Sequence, residues 1–572
     1  MNRYRLEWIF FSTLTILLMS CAGLKLKTLD KVEVAPSSEG ENVLILMNHL
    51  GISPASEREL LLKSNGKSLE ILSSDGEVLR VINAQKKSSK SLADMELWSY
   101  DLSSLEEGSW NWRVGGYESP SPILVGQADY SDMLKASLRF FYLNRNSMEL
   151  EEKFAGEFKR AAGHLDEEVF FHPSTAKGPG SKASAKGWYD AGDYGKYIVN
   201  SGISTYTLLA LYDLDRKFWP SFALNIPNDG NLPDLLEEIK WNLDWMLTMQ
   251  DEDGGVFHKL TTLTFPGKIM PHEDKGRRYF IGKSTSAALN FSAVMAYASV
   301  IYKEFDRDYA DLCLKAAQDA YAWAQKHPQE YYVQPDDVKT GQYQDNRLAD
   351  EFLWANVELY LATGENSFAE SISWSDFTLE NPTWMQVDGL ALWSLSVRES
   401  PFQKRAQELL LKAANTLISK QRSNVFGVSM VDSDFVWGSN SVAANMGITL
   451  FYAYHISRND KYLKAAQRNM DYLLGKNPLG RTYVTGFGHL PPMHPHHRPS
   501  EADDVLHPVP GMLVGGPHAG GQDIGPNPWQ CQEYRVGIAD SFIDDWCSYA
   551  TNEVAINWNA PLAFLSFALW NR

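Results

Sequence analysis

The chain has 572 residues, too many for one ordinary hydrophobic core, so two or three domains are expected. Its composition is that of a globular protein, with 44% hydrophobic and 22% charged residues and no long low-complexity tract. The formal net charge of -18 argues against a nucleic-acid partner, because phosphate binding requires clustered Lys and Arg.

Residues 1–21 have the pattern of an export signal. Arg3 and Arg5 precede an apolar run over residues 8–19, which is too short to span a bilayer. The run ends just before Cys21, an arrangement that resembles a bacterial lipoprotein signal, in which the cysteine is acylated. We therefore predict an exported protein whose only membrane contact is a lipid on Cys21 in the bacterial outer membrane, on its periplasmic or cell-surface face. Plain signal cleavage stays open as an alternative.

The cysteines do not form a disulfide framework. Only Cys313, Cys531 and Cys547 follow Cys21, and none of them belongs to a C-x-x-C pair. Cys531 and Cys547 can pair in an oxidising compartment, but the sequence does not decide whether they do.

Residues 31–125 show short apolar runs separated by turn dipeptides such as Asn65-Gly66 and Asp75-Gly76. Strands at this spacing predict a small β-sandwich of immunoglobulin-like type without catalytic residues. The predicted strands cover residues 43–47, 60–62, 69–72, 78–82 and 109–114.

From residue 130 to 572 the apolar period becomes helical. Leu232, Leu235, Leu236, Ile239 and Leu243 recur at intervals of three and four residues. Many helices joined by alternating short turns and long Gly/Pro-rich loops predict an (α/α)6 barrel, with the long loops forming a site at one end. The predicted helices cover residues 132–146, 202–214, 233–250, 284–305, 309–327, 347–363, 368–374, 387–398, 401–421, 441–458, 460–474 and 553–570.

One stretch, residues 187–197, combines two closely spaced carboxylates with aromatic side chains. Asp190 and Asp193 are separated only by Ala191 and Gly192 and are flanked by aromatic residues. Two close carboxylates influence each other's protonation and can activate a water, while aromatic rings cover the C–H face of a sugar. The alternative is an Asx-turn at the entrance of a helix, because Asp side chains commonly accept bonds from nearby backbone N–H groups.

Two further stretches carry candidate residues. In residues 542–560, Glu553 stands at the head of a long apolar helix, where an acidic residue is also favoured by the helix dipole alone. In residues 486–499, prolines constrain a loop that contains His496, His497 and Arg498. The guanidinium of Arg498 offers a planar set of donors.

Together these stretches resemble glycoside hydrolase family 9, the family of inverting endoglucanases and cellulases. Residues 190–197 are similar to its first acidic motif, His496-His497-Arg498 fits its H-x-R signature, and residues 542–560 fit its second signature. The N-terminal sandwich, with Asn48-His49-Leu50-Gly51 after its first strand, resembles the immunoglobulin-like domain that precedes many bacterial members.

The resemblance implies a role for each matching residue. Asp193 is expected to be the general base that activates water, Asp190 to position that water, and Glu553 to be the general acid. His496, Arg498 and His258 are expected to contact sugar hydroxyls. Tyr549 and Trp437 are expected to stack on sugars, with core packing as the alternative for both.

The sequence departs from the family where many members bind a structural zinc. No cysteine lies between Cys21 and Cys313, so we expect that site to be missing, although His164 and His172 lie nearby. Asp350 and Glu351 match positions that bind calcium in some members, with a solvated or capping role as the alternative. No cofactor is expected for the chemistry itself.

Other readings are weaker. Six of the 13 histidines fall between His489 and His518, but no H-E-x-x-H helix supports a catalytic metal. Five residues separate Gly276 from Gly282, so the phosphate-binding loop pattern fails. Two alternative functions stay open, that of a polysaccharide lyase and that of a non-catalytic glycan-binding lipoprotein.

The sequence therefore predicts an inverting hydrolase of β-1,4-glucan, with endo action favoured over exo action on cello-oligosaccharides. The polymer itself, cellulose-type, mixed-linkage or xyloglucan, depends on loops such as residues 265–280 and 507–528.

Overall fold

The computed structural model describes residues 43–126 and 128–572. The predicted signal peptide and Cys21 lie outside the described residues. Within the described residues, no helix combines the length and the apolar run needed to cross a bilayer.

The N-terminal part is built from two antiparallel sheets. Their inner faces share one buried cluster that includes Leu60, Ile71, Tyr100 and Trp112, which makes this part a β-sandwich. One sheet has the order β1-β2-β6-β5 and the other β4-β3-β7-β8, with β9 pairing with β7. The strands are β1 Leu44–Leu46, β2 Glu59–Lys63, β3 Leu69–Leu72, β4 Val78–Ile82, β5 Gln85–Ser89, β6 Met95–Asp101, β7 Gly108–Val114, β8 Tyr117–Glu118 and β9 Ile123–Val125.

The remainder of the described chain is mainly helical, as predicted. Its helices are α1 Ser131–Leu143, α2 Glu152–Ala155, α3 Ile198–Leu214, α4 Asp234–Thr248, α5 Thr285–Tyr302, α6 Arg307–Lys326, α7 Ala349–Thr363, α8 Asn366–Glu370, α9 Asp388–Val397, α10 Gln403–Gln421, α11 Ser439–Ser457, α12 Asp460–Leu473, α13 Arg498–Ala502, α14 Tyr549–Asn552 and α15 Ile556–Trp570.

Helices α3, α5, α7, α9, α11 and α15 form a closed ring. Each packs against the next in this order, and α15 packs against both α11 and α3. These helices are buried nearly all round, whereas α1, α4, α6, α10 and α12 lie outside them and bury one face. This arrangement is the predicted (α/α)6 barrel.

A third sheet was not predicted. It has the order β11-β10-β14-β13-β12 and lies in the loops that precede α3 and α5. Its strands are β10 Val169–Phe171, β11 Ser181–Lys182, β12 Lys196–Tyr197, β13 Phe257–Thr261 and β14 Tyr279–Lys283. Because β12 leads directly into α3, this sheet fixes the loop that contains Asp190 and Asp193.

The sandwich contacts the barrel through buried polar groups. The Asn48 amide donates to Asp471 at 2.8 Å and to the Tyr130 hydroxyl at 3.0 Å, and the His49 N–H donates to the Leu474 carbonyl at 2.9 Å. Buried polar groups that bond each other fix a single relative placement, because any shift leaves them unpaired.

Candidate active site

The loop of Asp190 and Asp193 is held by its own backbone. The Asp190 N–H donates to the Gly195 carbonyl at 3.0 Å, which closes the loop into a tight turn. Gly192 at its tip faces the backbone of His496, and a Cβ placed there would lie 2.0 Å from the His496 carbonyl oxygen. Only glycine fits at this position.

The two oxygens of the Asp193 carboxylate differ in their hydrogen bonds. Its Oδ2 accepts from the Gly195 N–H at 3.1 Å and from the Tyr197 hydroxyl at 3.0 Å. Among the described residues no hydrogen bond reaches its Oδ1. The two bonds at Oδ2 orient the carboxylate and leave Oδ1 for a water.

Asp190 lies deeper and is bonded at both oxygens. The Asn200 amide donates to its Oδ1 and the Tyr343 hydroxyl to its Oδ2, each at 2.6 Å. Burial raises the pKa of Asp190 to about 8, and the neighbouring charge of Asp193 adds to this effect. The two donors oppose the rise because they stabilise the ionised form. Burial and the neighbouring charge therefore favour the protonated form of Asp190.

Glu553 precedes α15 and lies close to both aspartates. Burial holds the pKa of Glu553 well above its ordinary value, and repulsion from Asp193 and Asp190 adds to the rise. Arg498 opposes it in part. A carboxyl group that keeps its proton near neutral pH can act as a general acid.

His496 is held as a neutral imidazole beside this carboxyl group. Its Nδ1 lies 2.6 Å from the Trp546 carbonyl oxygen, and because a carbonyl only accepts, Nδ1 carries the hydrogen. Burial lowers the pKa of His496 to about 4. The Nε2 atom is therefore an acceptor, suited to a sugar hydroxyl.

Arg498 begins α13 and bonds backbone carbonyls. Its Nη1 donates to the Gly192 carbonyl at 2.7 Å and its Nε to the Pro266 carbonyl at 3.1 Å. The guanidinium thus ties the tip of the aspartate loop to the neighbouring 265–280 loop. Its planar donor set makes both bonds with one side chain.

The three candidate stretches are joined by backbone hydrogen bonds. The Ile556 N–H donates to the Asp190 carbonyl and the His496 N–H to the Asn552 carbonyl, each at 2.8 Å. His496 also forms a parallel bridge with Glu553. Residues more than 300 positions apart in sequence therefore share one rigid backbone unit.

Tyr549 and Trp437 form an aromatic pair at the surface of this site. Their ring centroids are 5.5 Å apart, and the ring of Tyr549 lies 6.3 Å from that of His496. Trp437 keeps 44% of its surface exposed. An exposed ring beside the site is available to a sugar, whereas a core ring is not.

His258 lies behind the site. It is fully buried and stacks on Tyr332, with Nδ1 2.9 Å from Ser284 Oγ and Nε2 2.9 Å from the Gln342 carbonyl oxygen. Both ring nitrogens are thus engaged by protein groups, which leaves none for a sugar. Gln342 directly precedes Tyr343, so His258 supports the segment that holds Asp190.

Glu351 and Asp350 lie in the first turn of α7. Glu351 is fully buried and neither of its oxygens has a hydrogen-bond partner. One Asp350 oxygen accepts from the Val387 N–H at 2.9 Å, and the other is unpartnered. Burial holds the pKa of Glu351 well above its ordinary value, and Asp350 adds to this rise. Among the described residues, no group of three or more His, Cys, Asp or Glu side chains is arranged to hold a metal.

The region of His164, where the sequence predicts that the zinc site is missing, contains a hydrogen-bond chain. His164 Nδ1 lies 2.9 Å from the Tyr189 hydroxyl, which lies 3.4 Å from Asn146 Oδ1. His172 is engaged elsewhere, with Nε2 3.2 Å from an Asp337 oxygen. Tyr189 is adjacent to Asp190 in sequence, so this chain supports the aspartate loop.

Cys531 and Cys547 form a disulfide, with Cα atoms 5.0 Å apart. Cys313 is free and buried. The disulfide connects the loop of residues 518–536 to residues 542–552, the segment that directly precedes Glu553.

Three residues of the site were not found from the sequence. Asn200, Tyr197 and Tyr343 hold the two aspartates through side-chain bonds of 2.6–3.0 Å. Tyr343 also adopts a left-handed backbone conformation, with φ of 46°, which is costly for a residue with a side chain. Strain at a residue that bonds a buried carboxylate is typical of functional sites.

Known proteins resemble this chain over most of its length. The model for "Glycosyl hydrolase family 9" matches residues 130–566. The xyloglucan-specific endo-β-1,4-glucanase BoGH9A of Bacteroides ovatus is 39% identical over 92% of this chain and 94% of that protein. Endoglucanase D of Acetivibrio thermocellus is 29% identical over 96% of this chain and 84% of its own length.

Solved structures agree in fold. The structure titled Bacteroides ovatus GH9 superposes with a TM-score of 0.83 at 38% identity, covering 92% of this chain and 98% of that chain. A thermostable endoglucanase of Alicyclobacillus acidocaldarius gives a TM-score of 0.81 at 32% identity, covering 92% and 99% respectively.

Proposed function

We propose a mechanism and a substrate for this chain on one premise: it belongs to glycosyl hydrolase family 9. The chain is an inverting glycoside hydrolase that cleaves β-1,4-glucosidic bonds in β-glucan. The reaction needs no cofactor. The residues that perform the reaction, the glucan that is cleaved and the cellular location of the protein are our proposals.

In the proposed mechanism Glu553 protonates the leaving oxygen while Asp193 removes a proton from the attacking water. The observation that carries this assignment is the contrast between the two carboxyl groups. Burial favours the protonated form of Glu553, whereas Asp193 is held by two donors at Oδ2 and keeps Oδ1 for the water. Inverting enzymes hold acid and base about 6.5–9.5 Å apart, which leaves room for that water.

Asp190 acts indirectly in this mechanism, through its charge. Its oxygens are occupied by Asn200 and Tyr343, so it is a poor acceptor for a second water proton. The charge of Asp190 instead acts on Glu553 through space, where it adds to the rise in the pKa of Glu553.

His496, Tyr549 and Trp437 are proposed to bind the sugars beside the cleaved bond. His496 offers Nε2 as an acceptor for a hydroxyl, and the aromatic pair offers open ring surface. Arg498 contributes by holding the Gly192 carbonyl and reaches a sugar only with its remaining N–H donors.

The proposed substrate is a branched β-1,4-glucan of the xyloglucan type, attacked within the chain. The relative with 39% identity is named as xyloglucan-specific and as an endo-acting enzyme, and it aligns over nearly the whole of both chains. Endo action requires a cleft open at both ends.

Product analysis tests this proposal. Wild-type enzyme is incubated with xyloglucan, mixed-linkage β-glucan and carboxymethylcellulose, and NMR follows the anomer released. We expect an initial α-anomer and a rapid fall in polymer length, both abolished in Asp193→Ala and Glu553→Gln and retained in Glu252→Gln, an exposed control. Activity that persists in the first two variants, or an unsaturated product, would contradict the assignment.

Calcium at Asp350 and Glu351 is a second proposal. Calcium takes six to eight oxygen ligands, so two carboxylates can serve with backbone carbonyls and water. The unpartnered oxygens of Glu351 and Asp350 in a buried place favour a cation or a proton there. We expect EDTA to lower the Tm of the wild type but not of Glu351→Gln. An equal response of both proteins would refute the site.

We also propose that the protein is exported and carries a lipid on Cys21. The proposed domains are a signal peptide at residues 1–21, a β-sandwich at residues 31–125 and a hydrolase domain at residues 130–572. Radiolabelled palmitate should enter the wild-type protein and not Cys21→Ser in a bacterial host. A labelled variant would place the lipid elsewhere.

A further inference from the structure

Trp529 stands at the tip of a rigid turn. The Gln530 N–H donates to the Asn527 carbonyl at 2.9 Å, which closes a four-residue turn with Pro528 at its second position and Trp529 at its third. Proline fixes φ there and favours such a turn. The Asn527 amide also donates to Gln530 Oε1 at 2.9 Å. Despite this order, 68% of the Trp529 surface is exposed, the largest value for any tryptophan in the described residues.

The loop that carries this turn is anchored beside the general acid. Asp523 is fully buried, and its carboxylate accepts from the Tyr534 hydroxyl at 2.6 Å and from the Ala550 N–H at 3.2 Å. Two residues beyond Trp529, the disulfide of Cys531 and Cys547 fixes the other side of the loop. Ala550 lies in α14, three residues before Glu553. The loop and the acid segment therefore form one body.

The anchored loop is continuous with the aromatic surface of the site. The Tyr549 hydroxyl donates to the Gln522 carbonyl at 2.9 Å, and Tyr549 pairs with Trp437. Trp546, next to Cys547, packs 4.1 Å from the His496 ring. From the disulfide geometry and two peptide units, the Cα atoms of Trp529 and Cys547 are at most about 13 Å apart.

We propose that Trp529 is an accessory sugar-binding platform that stacks on a pyranose ring of the glucan beyond the residues next to the cleaved bond. This inference rests on the proposed function. Residues 525–530 carry no charge, which suits a neutral saccharide over an anionic ligand. Because the turn is already ordered, binding costs little conformational entropy, and a tryptophan ring supplies a large flat contact with only two side-chain torsions.

The test compares Trp529→Ala with Trp529→Phe, which keeps a ring. Phe305→Ala removes a 40% exposed ring in the α5–α6 turn and is the control. We expect Trp529→Ala to lower kcat/KM on xyloglucan about three- to tenfold through KM. Activity on the shortest cello-oligosaccharide that the wild type cleaves should stay unchanged. Trp529→Phe should recover part of the loss, and Phe305→Ala should match the wild type.

Direct binding separates this inference from the proposed function. In affinity electrophoresis through gels containing xyloglucan, the inert Glu553→Gln enzyme should be retarded more than the Glu553→Gln/Trp529→Ala double variant. Equal retardation, or equal loss of activity on long and short substrates, would overturn the platform. A wild type that hydrolyses none of the glucans refutes the proposed function, and the gel comparison then still decides whether Trp529 binds glucan.

Discussion

Replacing Tyr343 by phenylalanine tests how the buried aspartate is controlled. The change removes the hydroxyl that donates to Asp190 at 2.6 Å, while the ring keeps its neighbours Tyr197 and Trp384, at centroid distances of 4.8 and 5.1 Å. A hydrogen bond to a charged group contributes about 1.5–3 kcal/mol. Since this bond favours the ionised carboxylate, its loss should raise the pKa of Asp190 further.

Because a smaller fraction of Asp190 is then ionised at neutral pH, we expect kcat/KM there to fall about 10- to 100-fold and to recover in part as the pH is raised. The assay is reducing-sugar release from xyloglucan between pH 5 and 9, together with thermal unfolding. Tyr302→Phe is the matched control, because its buried hydroxyl donates to the Leu236 carbonyl, also at 2.6 Å, with no carboxylate involved. An unchanged pH profile in Tyr343→Phe would refute the reasoning. So would a Tm loss much larger than that of the control, since the loop itself would then have moved.

Three further changes give distinct outcomes. Gly192→Ala places a methyl group 2.0 Å from the His496 carbonyl oxygen. Activity should therefore fall more than roughly 100-fold, and the free energy of unfolding should decrease by about 1–3 kcal/mol. Normal activity would show that the loop adapts to the methyl group. Because the pKa of Asp190 is raised to about 8 in the folded state, the wild type should lose stability as the pH rises from 4 to 8, whereas Asp190→Asn should not. The Tm of Asp190→Asn minus that of the wild type should therefore increase over this range. A constant difference in Tm would contradict this prediction. Replacing Cys531 and Cys547 by serine should lower stability by about 3 kcal/mol, and a reducing agent should lower the wild-type Tm but not that of the variant.

The helical part of the fold could be read from the sequence because its signal is local. Apolar residues at intervals of three and four mark each long helix, and α5 is bounded by Ser284, whose side chain accepts from the Ala287 N–H. The sheet of β10–β14 left no such signal, since strands of two to five residues such as Lys196–Tyr197 are too short for a period. Strand β5, with the sequence Gln-Lys-Lys-Ser-Ser, is polar and was missed for that reason.

The candidate site was predictable only in part for a related reason. Asp190, Asp193 and Glu553 stand in motifs with their own composition, whereas Tyr343 reaches Asp190 across 153 positions from a loop without a recognisable pattern. For His258 the sequence contains a motif, but the motif does not reveal the contacts of the side chain. Its motif suggested a sugar contact, but the fold places it between Ser284 and Gln342, where it supports Tyr343.

The backbone hydrogen bonds that join the three candidate stretches separate two properties, the spacing of the proposed acid and base and the choice of glucan. The segments of the proposed acid and base are held together by main-chain hydrogen bonds, between Ile556 and Asp190 and between His496 and Asn552, which do not depend on side-chain identity. The 265–280 loop is bonded to this unit through Arg498, and the loop around Cys531 is bonded to it through the disulfide with Cys547. We expect substitutions in these two loops to alter which glucan is accepted without changing the stereochemical course of hydrolysis.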